Sequence, residues 1–156
     1  MREPQSISPI VTSALYNRDI LRLAASIPHQ RRLDEPQASV ERRSPVCGSR
    51  VVVDVVTDGE GRVSALGQEV RACALGQASA ALMGAAAVGL RPGELAAARD
   101  ALADYLSGAR DEPGAWPGLE LLAGARSFPA RHASILLPFE AVAQAAAEAA
   151  HHAVRS

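Results

Sequence analysis

Two cysteines and a histidine stand at points in this 156-residue chain where one sequence pattern gives way to another. Cys47 lies in the run Pro45-Val46-Cys47-Gly48-Ser49, just ahead of a valine-rich segment. Gly48 can adopt backbone angles closed to other residues, which lets a neighbouring thiol project from a loop. Cys73 falls where an extended run changes to a stretch of small residues. A thiol at a helix N-terminus feels the positive end of the helix dipole and its unpaired N–H groups, which favour thiolate. Arg71 adds a positive charge two residues away. The other reading is packing, because a free cysteine between Ala72 and Ala74 behaves as a small buried hydrophobe. His132 stands directly before an apolar helix in Arg131-His132-Ala133-Ser134-Ile135-Leu136. It is either a ring that packs or a chemical group at the helix mouth. Two thiolates and an imidazole suit zinc or iron, provided the fold gathers three element boundaries at one end of a sheet. Of the other histidines, His151 and His152 complement the dipole in a last helical turn, and His29 belongs to a solvated loop.

Other chemistry has little support. The net charge of −1 gives no electrostatic case for nucleic acid or an anionic membrane. All 16 basic residues are arginine, so no lysine amine exists for a Schiff base or a phosphate loop. There is no GxSxG, no HExxH and no GxGxxG after a strand, and the acidic residues are scattered. Asp54, inside the valine run, is expected on the solvent side of its sheet, the alternative being a buried acid.

The elements that must position these residues follow from periodicity. Residues 10–27 have a helical pattern that Thr12 or Ser13 could cap and Pro28 ends. Residues 29–45 are polar and arginine-rich, an exposed loop or an edge strand. The β-branched run 51–56, Asp58-Gly59, and the run 62–72 form a hairpin, with Gly67 marking a bulge or close packing. A buried helix of small residues is expected over 74–88 and a second helix over 94–106. One turn is expected at 119–122. A last helix should cover 133–153, with Ile135, Leu136, Phe139, Val142 and Ala146 facing inward and Pro138 near its start. The fold class is α+β. An N-terminal helix leads to a small antiparallel sheet of about three strands, then to a group of helices packed on one face. The length suits a single domain, 1–156, with residues 1–9 flexible. Aromatic residues make up only 3%, so Ala, Val and Leu must build the core. No run reaches the ~18–20 apolar residues that span a bilayer. MREPQSISPI lacks an apolar h-region, so the expected compartment is the cytoplasm, with both thiols reduced.

In this order the pieces resemble the IscU/SufU-type (NifU N-terminal-like) iron–sulfur cluster assembly scaffolds. LYNRDILRLAASIPH is similar to that family's opening helix. VCGSRVVVDVVTDGEGRVSALGQEVRACALGQASAALM is similar to its first-cysteine loop, hairpin, second cysteine and small-residue helix. ARSFPARHASILLPFEAV is similar to its final motif. The resemblance implies a non-enzymatic scaffold that binds iron, zinc or a labile [2Fe–2S] cluster through Cys47, Cys73 and His132. It also implies work with a cysteine desulfurase, and with chaperone or cluster-acceptor proteins. Two departures bear on this. The family's CGD is Cys47-Gly48-Ser49 here, and its HCSIL is His132-Ala133-Ser134-Ile135-Leu136. Two alternatives therefore stand beside the scaffold: an adaptor or regulator that keeps the fold without assembling clusters, and a zinc-dependent sulfur-transfer partner, which the FPAR stretch also resembles.

Overall fold

The computed structural model describes residues 17–45 and 48–155. The expectations for residues 1–16 and for Cys47 lie outside the described residues. Three antiparallel strands form a sheet in the order β1 (Ala38–Arg43), β2 (Arg50–Thr57), β3 (Val63–Arg71). The valine run makes β2 the central strand, since β-branched side chains fit a pleated, buried surface. The Asp58 carboxylate accepts the N–H groups of Glu60 and Arg62 at 2.8 and 3.0 Å, which closes the turn into β3. The polar run 29–45 is both of the things expected of it: a loop first, then the edge strand β1.

Strand register sorts the side chains. Val53 pairs with Val40 on one side and Gln68 on the other, so Val51, Val53 and Val55 share a face with Val40, Leu66 and Val70. All six are buried. The opposite face carries Arg50, Glu41 and Glu69 around a buried Val52, with Arg50 bridging Glu41 at 3.1 Å and Glu69 at 3.4 Å. Hydrogen bonds from Arg50 and Arg43 hold the Glu41 carboxyl below the usual carboxylate range.

The helices are α1 (Arg18–Ala24), α2 (Ala74–Ala86), α3 (Pro92–Ser107) and α4 (His132–Arg155). A 3₁₀ stretch, Leu119–Ser127, and a short turn, Pro129–Arg131, lead into α4. Asn17 caps α1 by accepting the Ile20 N–H at 3.0 Å. The helix ends at Ala24, short of Ile27: the Ala25 and Ser26 N–H groups close its last turn on Leu21 O and Leu23 O, and the residue before Pro28 avoids helical angles. Pro92 opens α3, and Glu94 accepts the Arg91 N–H at 2.9 Å. Gly108, at φ 89°, closes it. Helix α4 lies along β1 and β2, with α2 and α3 packed against it and α1 against α2. With few aromatic residues available, small side chains fill this interior. Trp116 is an exception: its indole N–H donates to Leu82 O at 2.8 Å and its ring meets Phe139 edge-on at 5.0 Å. In α4, Leu137 is more fully covered than Leu136. Among the described residues, no helix is long and apolar enough to cross a membrane.

Two details correct or settle the sequence reading. Asp54 is not on the solvent side but fully buried. The loop before β1 folds over that face of the sheet and supplies Arg32 and Leu33 as donors, with Ser39 of β1 completing the set. Arg32 Nε is 2.7 Å from Oδ2, the Leu33 N–H 2.9 Å, and Ser39 Oγ, the cross-strand neighbour, 2.5 Å from Oδ1. Burial pushes the carboxyl up, but these hydrogen bonds and the Arg32 charge together hold it below its ordinary value. Gly67, paired with Asp54, marks close packing: a Cβ there would stand 2.4 Å from Arg31 O. The irregularity in the hairpin lies instead between Val56 and Thr57.

Candidate functional site

The sheet end that carries Ser49, Arg50 and Arg71 is where the strands give way to α2. The connection from β1 to β2 closes with Ser44 N–H on Ser49 O at 2.9 Å and Gly48 N–H on Ser44 O at 3.0 Å. Gly48 has φ +73°, the left-handed region that a side chain disfavours. This turn delivers the Ser49 side chain into the interior. Its Oγ lies 2.9 Å from Ser134 Oγ in the first turn of α4.

Cys73 is the N-cap of α2, with extended backbone angles of φ −66° and ψ 170°. Its carbonyl accepts the Gln77 N–H at 2.9 Å, and the Gln77 amide returns to Ala72 O at the same distance. Those bonds fix the strand-to-helix corner. The thiol is free and half-buried, with Sγ 3.5 Å from Ser134 Oγ. Cys73 combines both expectations, standing at the N-terminus of α2 and packing half-buried against the core. Gly76 makes the approach of α4 possible, because a Cβ there would lie 2.5 Å from Ser134 Oγ and 2.7 Å from Ala72 Cβ.

His132 is the first residue of α4 and half-buried. Its Nε2 lies 2.8 Å from Ala125 O. A carbonyl only accepts, so Nε2 carries the hydrogen here, and in a neutral imidazole the lone pair is then on Nδ1. Ala133 faces solvent and Ser134 the interior. Pro138, inside α4, cannot donate to Ser134 O. One residue on, Ser79 Oγ donates to Ile135 O at 2.5 Å and ties α2 to α4 at that turn.

The fold thus brings the Cys73 corner against the start of α4, which His132 begins, while Cys47 lies outside the described residues. Among the described residues, no three His, Cys, Asp or Glu side chains form a group able to hold a metal ion. The donors present, a thiol and an imidazole with Nδ1 available, fit zinc or iron. They do not supply the four thiolates usual for a [2Fe–2S] cluster. Ser134 is the residue that sequence reasoning passed over. A hydroxyl two residues after His132, at the edge of an apolar run, was its only signal.

Neither a family model nor a curated protein sequence matches the chain. Solved structures do. A nitrogen-fixing NifU-like protein (N-terminal) from Brucella abortus is 36% identical, with a TM-score of 0.84 over 89% of this chain and 96% of that one. A candidate iron–sulfur cluster assembly scaffold protein for the SUF system from Fervidobacterium islandicum AW-1 is 18% identical, with a TM-score of 0.79 over 86% and 98%. At that identity it shows the shared fold. A hypothetical protein matches at 25% identity and a TM-score of 0.73, over 86% and 98%. With more than a third of its residues identical across nearly the whole of both chains, and the same α+β architecture, the chain belongs to the NifU N-terminal-like family of IscU/SufU-type scaffolds.

Proposed function

We propose that this protein is an iron–sulfur cluster assembly scaffold with a reduced donor set. It holds iron, zinc or a labile [2Fe–2S] cluster as cargo through Cys47, Cys73 and His132, and works in the cytoplasm with a cysteine desulfurase. Chaperone or cluster-acceptor proteins take the cargo onward. The observation that carries the reading is the packing of the Cys73 corner against the start of α4, through Sγ and Ser134 Oγ at 3.5 Å. Thiolate from the N-cap of α2 and imidazole from the first residue of α4 then serve one centre. Cys47 supplies the third donor from the loop that ends in Gly48 and Ser49. Three donors leave a fourth position for solvent or a partner's group, which suits cargo that must leave again. With no thiol at Ala133, sulfur from the desulfurase is accepted on Cys47 or Cys73.

The test is anaerobic purification with iron and zinc analysis, then reconstitution. About one metal ion per chain or a labile cluster is expected, lost in C73A and weakened in H132A. Protein without stoichiometric metal after reconstitution, with cluster transfer unchanged in C47A and C73A, sinks the reading.

The Ser49–Ser134–Cys73 contacts favour a second reading, since they give the two hydroxyls and the thiol partners without a metal. On that reading the fold serves as an adaptor on a desulfurase. Desulfurase binding that persists in the C47A/C73A variant supports it. Desulfurase activation abolished by C73A would instead mark a zinc-dependent sulfur-transfer partner.

A further inference from the structure

We propose that Arg126 is a positioning residue for His132, acting through the Ala125 carbonyl to keep Nδ1 as the nitrogen free for a metal. The proposal rests on the reading of His132 as a ligand and adds the residue that sets its geometry. The Ala125 carbonyl accepts two donors, His132 Nε2–H at 2.8 Å and the Phe128 N–H at 3.0 Å. Both of its lone pairs are thereby used. Ala125 itself is buried. Moving the hydrogen to Nδ1 would set the Nε2 lone pair against this oxygen, and turning the ring over would offer it only a C–H, a loss beside a buried carbonyl.

The carbonyl can do this only if its segment stays in place. Residues Leu119–Ser127 form a 3₁₀ stretch, whose hydrogen bonds have poorer geometry than an α-helix's. Arg126 anchors it. Nε donates to Tyr105 O at 2.8 Å and Nη2 to Arg110 O at 2.8 Å. The guanidinium also lies over the Tyr105 ring, 4.4 Å from its centre. Tyr105 O belongs to the last turn of α3, where it also accepts the Gly108 N–H at 3.3 Å and where a positive charge complements the dipole. One planar side chain therefore spans two carbonyls and a ring, a task that the point charge of lysine cannot repeat. Arg126 acts on His132 from the far side of Ala125, through the carbonyl that fixes the ring. Losses of an outer-shell partner of this kind commonly weaken metal binding about 10–100-fold.

Long-range ¹H–¹⁵N correlation spectra of the metal-free full chain, with the ring neutral, read the hydrogen position directly. Wild-type His132 is expected as Nε2–H alone, and R126A and R126K as mixtures of both forms. A wild-type ring with the hydrogen on Nδ1, or a single Nε2–H form in both variants, overturns the proposal. The wild-type spectrum needs no variant to fold, and R126K keeps the charge. Co²⁺ titration then separates positioning from general support. R126K should lower Co²⁺ affinity 10–100-fold beside His132 but change nothing in an H132A background. Equal losses in both backgrounds would reduce Arg126 to a structural role. A wild-type protein that binds no Co²⁺ refutes the metal-binding reading, while the ring spectra still judge the role of Arg126.

Discussion

A hydroxyl at position 49 and a methyl group at 133 change the company that the Cys73 thiol keeps. Ser49 is buried and bonded to Ser134, and Ala133 offers no donor. Restoring the family's pattern with S49D and A133C together should therefore do two opposite things. Without metal, a carboxylate in the Ser49 position is poorly solvated, so the melting temperature falls. With metal, two further donors complete a centre, and Co²⁺ affinity rises at least about tenfold. Zinc should then raise the variant's melting temperature more than the wild type's, because a ligand that binds only the folded state stabilises it. Calorimetry with and without zinc checks both halves. A variant whose melting temperature ignores zinc would show that the cysteines and His132 do not converge.

Elements meet here through the absence of side chains. Helix α2 carries Gly76 where α4 begins, and a methyl group would press on Ser134 Oγ and Ala72 Cβ. Alanine is the better helix former by about 1 kcal/mol. Overpacking of this kind costs about 1–3 kcal/mol, so G76A should be less stable than the wild type and should disturb Cys73 as well. Gly93, in the first turn of α3, has nothing within 4 Å of the equivalent position. G93A should be stabilising by about 0.5 kcal/mol, through reduced freedom of the unfolded chain. Urea unfolding followed by the fluorescence of the single tryptophan, Trp116, measures both, since that ring joins a loop to α2 and α4. The helix pattern and the hairpin were legible before folding was considered, while residues 29–45 stayed open between a loop and an edge strand. Which glycines are obligatory was not legible, because that depends on what packs opposite them.

At the scale of the whole molecule, Asp54 fastens the crossing loop to the sheet. Its donors come from Arg32, Leu33 and Ser39, and the Arg32 side chain remains 46% exposed. D54N keeps the shape but removes the charge and turns an acceptor into a donor. At neutral pH the variant should be about 2–4 kcal/mol less stable, since it leaves a buried set of donors mismatched. The folded carboxyl titrates below its unfolded value of about 3.9. Its stabilisation is therefore complete above that pH and fades as acid carries the protein through the folded value. Wild type and D54N should converge in stability there. A gap that stays constant from neutral to strongly acidic conditions would rule the ion pair out as its cause.

By itself the sequence determined the order of elements, the α+β class, the family resemblance and the residue types of the candidate centre. Each of these is written in short windows: hydrophobic period, turn chemistry at Asp58-Gly59, proline and glycine at helix ends. Tertiary structure alone decided three things. It buried Asp54 beneath a loop whose Arg32 lies 22 residues earlier. It joined Ser49 to Ser134, 85 residues apart, and through Ser134 reached Cys73. It set the Nε2 side of the His132 ring against a carbonyl 7 residues upstream on a separate segment. The reason is the same in each case. Period and propensity report how a segment meets its own backbone, whereas burial, hydrogen-bond partner and ring orientation depend on which distant segment arrives opposite it.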